Sequence, residues 1–306
     1  MDFIWAIISL LILLGAAYGM AYWANRAERD RSARVGLYIL FGLPGTFVGI
    51  YGLAQAVNRR DTGWVWLAVA LGMTLPLIPP VRAAFASFLP FNPASAVDMT
   101  GLCILLAAIG FLVTSYALDP SPADIDEAVE VSDLAVQFIA GLALAFITVG
   151  WRIKRSFREA VVRLGLTMPT PRVVGVGVGT VFIIFIVLAI AGVLTEIFQP
   201  DISREISQAT QEITENVKNP VGAVFFGLGA GASEELLVRG AIQPKYGLIV
   251  SALLFALLHS QYGVSFVLLG VFLVGLVLGL ERKYFGTTAA IITHAIFNTI
   301  SVLLGS

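Results

Sequence analysis

Long apolar segments dominate the chain and are separated by short polar ones. A helix needs about 20 apolar residues to cross the hydrocarbon core of a bilayer. The segments lack the alternation over about 10 residues that a membrane β-barrel shows. The pattern therefore predicts an all-α, polytopic transmembrane helical bundle with about ten spans. The candidate spans are 3–24, 35–57, 64–81, 98–118, 134–151, 173–197, 221–242, 246–260, 263–281 and 286–304.

Composition agrees with a membrane protein. The 306 residues are 58% hydrophobic and 13% charged, whereas soluble domains average about 25% charged residues. The net charge of −1 says nothing about partners. For a membrane protein we expect contact with membrane lipid and no binding of nucleic acid. The single cysteine, Cys103, excludes an internal disulfide and a multi-cysteine zinc site, and we expect it to serve packing.

Basic residues are distributed unevenly between alternate loops. If the loop 26–34 is cytoplasmic, most of the 19 Lys and Arg fall on the cytoplasmic side, above all in the segment 152–172. The acidic loop 119–133 then falls outside. This positive-inside bias predicts that both termini are extracytoplasmic.

The polar segments also suggest three regions. Residues 1–150 form a predicted five-span region, in which Pro76, Pro79 and Pro80 should kink or end the third helix. Residues 151–172 fit either a basic interfacial helix or a solvated basic linker. Residues 173–306 form a third predicted region within the membrane, and its polar loop 198–220 should hold a short outer helix.

Three ionisable residues interrupt the apolar run at 221–242. Glu234, Glu235 and Arg239 occur in "GASEELLVRG", and such charges within a span usually mark function. Glu235 and Arg239 are four residues apart, so they share a helix face and can pair. Glu234 points about 100° away from Glu235, which leaves its carboxylate free.

Both histidines of the chain also lie within apolar runs. His259 ends "FALLH", and His294 begins "HAIFN", which places Asn298 one turn later. We expect the preceding turns near 244–246 and 283–284. A rise of 1.5 Å per residue then places these three side chains and Glu234 about 15–21 Å from the turns. The sequence thus predicts one polar layer near the bilayer middle. Pairs of glycines four residues apart would allow the helices that carry this layer to pack closely.

These three segments resemble the motifs of a known family. "EELLVR", "FALLH" and "HAIFN" are similar to Glu-Glu-x-x-x-Arg, Phe-x-x-x-His and His-x-x-x-Asn of the CPBP family. That family comprises CaaX prenyl proteases and bacteriocin-processing proteins and is also called the Abi family. The resemblance implies an intramembrane endopeptidase, a hydrolase that cuts a membrane-associated protein or peptide. It also implies that residues 173–306 are the catalytic membrane core.

The resemblance also implies residue roles. Glu234 would activate water with help from His259, and His294 and Asn298 would stabilise the oxyanion. Glu235, Arg239 and Phe255 would support the site. Family members are often called metalloproteases, yet no metal or other cofactor is favoured here, because the chain lacks the H-E-x-x-H helix of soluble zinc proteases.

Alternatives remain at this point. If zinc is present, Glu234, His259 and His294 are the candidate ligands. A proton- or cation-coupled transporter could use the same residues, as could a non-catalytic immunity or scaffold member of the family. We expect a multi-pass protein of a prokaryotic plasma membrane.

Overall fold

The computed structural model describes residues 2–123 and 130–305, and nothing within these ranges forms a β-strand. The predicted all-helical fold class is confirmed. The helices are α1 (Asp2–Arg26), α2 (Arg31–Val57), α3 (Thr62–Thr74), α4 (Pro79–Ala86), α5 (Ala96–Leu118), α6 (Val131–Thr148), α7 (Phe157–Leu164), α8 (Pro171–Phe198), α9 (Pro200–Thr214), α10 (Pro220–Glu235), α11 (Gln243–Leu257), α12 (Phe266–Phe285) and α13 (Thr287–Leu304). A π-helix, Leu236–Ile242, joins α10 to α11.

Six helices among the described residues are long and apolar enough to cross a membrane, or seven if the bent pair α3–α4 is one span. The predicted number of about ten spans is therefore not confirmed. Three predicted spans account for the difference, and one of them is α12, which is not among the six. The apolar helix at 132–148 is short, and Pro220–Leu257 runs as one helical segment although two spans were predicted there.

Gly247 nevertheless redirects the chain inside that long segment. Its φ of 82° and ψ of 173° are non-helical, and glycine adopts a positive φ without the steric penalty of a side chain. Gly275 of α12 contacts both Arg239 before the kink and Ala252 after it. The chain therefore doubles back near the predicted turn at 244–246.

The described residues pack into two units, which are considered separately. The first unit contains residues 19–120, and the second contains 2–18, 121–123 and 130–305. The predicted functional regions, 1–150, 151–172 and 173–306, stay a prediction.

The first unit contains the predicted helix break. α3 passes through a 3₁₀ turn at Leu75–Leu77 and is bent by 91° from α4, which begins at Pro79. Arg82 is buried there, and its guanidinium donates to the carbonyl oxygens of Pro76 and Pro93. Cys103 is fully buried in this unit's core, as expected for a packing residue.

In the second unit, the basic segment 151–172 forms a short helix that is packed against the core. Ser156 and Glu159 cap α7 reciprocally, and the hydrogen bonds from Ser156 hold the pKa of Glu159 below its usual value. The buried side chain of Leu164 packs in a cluster with Leu236, and Arg163 donates to the Gly240 carbonyl at 3.0 Å. This segment is therefore anchored to the second unit through α7, and its position at the membrane interface stays a prediction. The short helix predicted within 198–220 is confirmed as α9.

Candidate active site

Glycines set the distance between the helices that carry the predicted site. A Cβ built on Gly231 of α10 would lie 2.8 Å from the backbone nitrogen of Ala295 on α13, and a Cβ on Gly227 would also meet Ala295. A Cβ on Gly275 would lie 3.1 Å from the Cα of Ala252. The predicted packing role of these glycines is confirmed, and it brings His294 beside the end of α10.

The predicted pair of Glu235 and Arg239 is formed and fully buried. Glu235 Oε2 lies 3.2 Å from Arg239 Nε, and both side chains have 0% exposure. Arg239 also donates from Nη2 to the Gly275 carbonyl at 3.3 Å, and its guanidinium lies 4.1 Å from the centre of the Phe255 ring. Arg239 belongs to the π-helix, a conformation that occurs frequently at functional sites.

The same carboxylate binds His294. Its Oε1 lies 2.9 Å from His294 Nδ1. An ionised carboxylate only accepts hydrogen bonds, so Nδ1 carries the proton of a neutral His294 and Nε2 is left for another partner. The sequence predicted that Glu235 pairs with Arg239 but did not reveal that Glu235 also positions a histidine.

His259 is oriented in a comparable way at the end of α11. Its Nδ1 lies 2.7 Å from the Phe255 carbonyl oxygen, so Nδ1 donates and Nε2 is again available. The imidazole packs on the Phe255 ring, with 4.7 Å between ring centres, and it stacks parallel to Tyr262 at 6.0 Å. Phe255 also contacts His294 at 5.8 Å, so this ring lies between the two histidines and Arg239.

Glu234 differs from its neighbour in exposure. It is half-buried, whereas Glu235 is inaccessible. It adjoins Glu235, which binds His294, and His294 shares the Phe255 ring with His259. Asn298 is half-buried on α13, one turn beyond His294.

Sequence reasoning missed a second buried carboxyl group. Glu281 is 5% exposed, and the Thr293 hydroxyl lies 2.8 and 2.9 Å from its two oxygens. The same hydroxyl lies 3.0 Å from the Gly177 carbonyl and 3.1 Å from the Ala289 carbonyl. A hydroxyl has one hydrogen to donate, so a protonated Glu281 satisfies this cluster better than a carboxylate. The feature of the sequence that could have revealed Glu281 is an acidic residue within the last turns of an apolar run.

The two histidines carry ring nitrogens of the kind that bind metal ions. Both histidines direct Nδ1 to an oxygen acceptor, which is the usual orientation of metal-bound histidines. Among residues 2–123 and 130–305, however, no three His, Cys, Asp or Glu side chains are grouped so that they could hold a metal ion. Glu234, His259 and His294 are therefore not grouped as metal ligands in this structure, and the absence of a cofactor stays a prediction.

Comparison with known proteins supports the resemblance seen in the motifs. Residues 216–300 match a family model described as "Rce1-like: Type II CAAX prenyl endopeptidase Rce1-like". No curated protein and no solved structure matches the chain. The matched range includes all seven predicted site residues, and the predicted resemblance to the CaaX-protease family is confirmed. This match and the long apolar helices together identify an integral membrane protein.

Proposed function

We propose that the chain, whose residues 216–300 match the CaaX prenyl endopeptidase family, is an intramembrane endopeptidase. Its substrate would be a membrane-associated protein or peptide. The observation that carries the proposal is the cluster centred on Glu235, where one buried carboxylate binds both Arg239 and His294. This arrangement holds His294 against Glu235, the residue next to Glu234 in the chain, and against the Phe255 ring that also contacts His259.

Glu234 is the proposed general base. Because it is half-buried, water can reach its carboxylate, while its neighbour is committed to the ion pair. Glu234 would take a proton from water as the hydroxide attacks the carbonyl carbon of the scissile peptide bond. The proton would then pass to the leaving amine as the C–N bond breaks. His259 Nε2 would accept a hydrogen bond from the same water.

His294 and Asn298 are the proposed oxyanion donors. His294 already uses Nδ1 toward Glu235, so it can donate from Nε2 only as an imidazolium. The Glu235 carboxylate would balance that positive charge, and Arg239 would in turn hold Glu235 in place. Donors directed at a developing oxyanion are most effective where water is scarce.

A reconstituted cleavage assay tests the proposal. Purified protein in lipid nanodiscs would be incubated with membrane-anchored peptides of two classes, prenylated C-terminal peptides and leader peptides, and products identified by mass spectrometry. We expect cleavage of at least one class and its loss in Glu234→Ala, His259→Ala and His294→Ala. The matched control is Glu205→Gln, which removes a carboxylate exposed on α9 and should retain activity. Full activity of Glu234→Ala on a verified substrate would show that another group is the base.

A metal-free reaction is part of the proposal, because the three candidate ligands are not grouped around one point. We expect activity to survive chelator treatment and active protein to contain less than stoichiometric zinc. Activity that is lost on chelation and restored by zinc alone would refute the metal-free mechanism while leaving the proposed peptidase function intact.

A further inference from the structure

A basic pocket lies away from the proposed active site, where two long helices begin. Its walls are the connection 165–173, which leads into α8, and the corner 282–286 between α12 and α13. The cavity measures about 490 Å³. Arg172, Arg282 and Lys283 all line it, and none of the described residues that line it is acidic.

The walls are held together by hydrogen bonds. The Thr287 backbone N–H donates to the Gly165 carbonyl at 2.8 Å, and the Thr288 hydroxyl donates to the Thr167 carbonyl at 2.8 Å. Gly165 has a φ of +72°, and a Cβ there would lie 2.6 Å from an Nη atom of Arg282. The glycine therefore leaves room for the guanidinium in the cavity wall.

The local charge favours an anion. Arg172 lies in the first turn of α8, and the cavity is bordered by Gly286, which precedes the first residue of α13. The N-terminal ends of both helices thus add their positive dipole ends to the three cationic side chains. Arg282 Nε is buried and has no hydrogen-bond partner among the described residues. Arg282 and Lys283 lie in the last turn of α12, where a positive charge offsets the negative end of the helix dipole. That effect does not account for Arg172 or for the unpartnered Nε of Arg282.

The position selects a lipid as the source of that anion. α8 and α13 are both candidate membrane spans, so their first residues lie at the level of the lipid headgroups. This holds whether that end of the helices is cytoplasmic or extracytoplasmic. The rim carries the exposed apolar side chains of Met168 and Tyr284, which are 80% and 66% exposed. We propose that this pocket binds the phosphate of an anionic phospholipid, with the acyl chains extending past these two side chains. The proposal does not depend on the peptidase function.

Lipid binding can be measured without a protease substrate. The full chain would be placed in nanodiscs of phosphatidylcholine with increasing phosphatidylglycerol, and the lipids retained on the released protein counted by native mass spectrometry. We expect preferential retention of phosphatidylglycerol and a loss of about tenfold in affinity for Arg172→Gln/Arg282→Gln, since each basic residue near a membrane surface contributes substantially to binding of anionic lipid.

The matched control is Arg29→Gln/Arg158→Gln, which removes the same charge at two exposed arginines outside the pocket. It should stay within about twofold of the unmodified chain, because neither side chain lines the pocket. An equal loss of phosphatidylglycerol affinity in both double variants would show that general surface charge binds the lipid, and it would overturn the proposal. Equal retention of phosphatidylcholine and phosphatidylglycerol by the unmodified chain would also overturn the proposal.

A competition experiment with inorganic phosphate distinguishes a lipid headgroup from a free phosphate ion as the ligand of the pocket. We expect millimolar phosphate to leave phosphatidylglycerol retention unchanged. Complete displacement would assign the pocket to a free anion and overturn the lipid as its occupant. If Arg172→Gln/Arg282→Gln does not fold, Lys283→Gln replaces it, because that side chain is exposed. The expected loss is then smaller, and full retention in a folded Lys283→Gln protein would contradict the proposal.

Discussion

His294 and Glu235 are separated by 59 positions in the chain and are joined by a hydrogen bond of 2.9 Å between Nδ1 and Oε1. The bond connects α13 to the end of α10. Because Glu235 also pairs with Arg239, one carboxylate links three residues of the candidate site. Glu235 therefore combines a structural and a positioning role, and the two can be separated by mutation.

A double-mutant cycle tests this role. Glu235→Gln and Arg239→Met should each destabilise the protein by about 3–5 kcal/mol, because each strands a charge in a fully buried place. Glu235→Gln/Arg239→Met leaves no stranded charge, so it should cost less than the sum of the two single changes. The measurement is the free energy of unfolding in mixed micelles. Additive costs would show that the two side chains do not depend on each other.

Several features of the site were predictable because they depend on local geometry. The Glu235–Arg239 pair follows from a separation of four residues on a helix, and the contact faces of Gly231 and Gly275 follow from the need for close packing. The break at Pro76 and Pro79 follows from proline stereochemistry.

Other features depend on how helices are rotated against each other, which periodicity does not determine. The bond from His294 to Glu235 requires the facing surfaces of α10 and α13 to be known. Glu281 appeared in the sequence as a residue near a helix end, and only the packing of Thr293 against it shows that it is buried. The predicted count of about ten spans is not confirmed, because hydropathy alone does not decide whether a short or bent apolar helix crosses the membrane.

The buried Thr293–Glu281 contact predicts an asymmetry between two conservative substitutions. Thr293→Val keeps the shape but removes one of the two threonine hydroxyls, those of Thr293 and Thr180, that hydrogen-bond the Glu281 carboxyl. We therefore expect a loss of about 1–3 kcal/mol in unfolding free energy. Glu281→Gln should cost less, because an amide also supplies a donor and an acceptor. Thermal unfolding of the two variants in the same detergent measures which substitution costs more stability. A larger loss for Glu281→Gln would indicate an ionised carboxylate.

The proposed topology can be tested at exposed positions on two helices. Arg158 on α7 and Ser207 on α9 are both exposed, and we expect them to lie on the cytoplasmic and outer sides respectively. Each would be replaced by cysteine in a Cys103→Ser background. A membrane-impermeant thiol reagent should then label Ser207→Cys, but not Arg158→Cys, in intact cells. Lysed cells provide the control in which both should react, and the reverse pattern in intact cells would invert the assignment.

The close approach of α10 to α13 gives the last prediction. Gly231→Ala places a methyl group 2.8 Å from the Ala295 nitrogen, which adjoins His294, so the two helices must separate. We expect a loss of about 1–3 kcal/mol in unfolding free energy and a fall in peptidase activity as His294 moves from Glu235. Gly229→Ala is the matched control on the same helix, because its Cβ meets only an ordinary contact at 3.7 Å with the Leu134 carbonyl. It should be neutral or stabilising by about 0.5–1 kcal/mol, since alanine suits a helix interior better than glycine. Unfolding free energy and cleavage rate would be measured for both variants, and equal behaviour of the two would show that α10–α13 packing does not position the histidine.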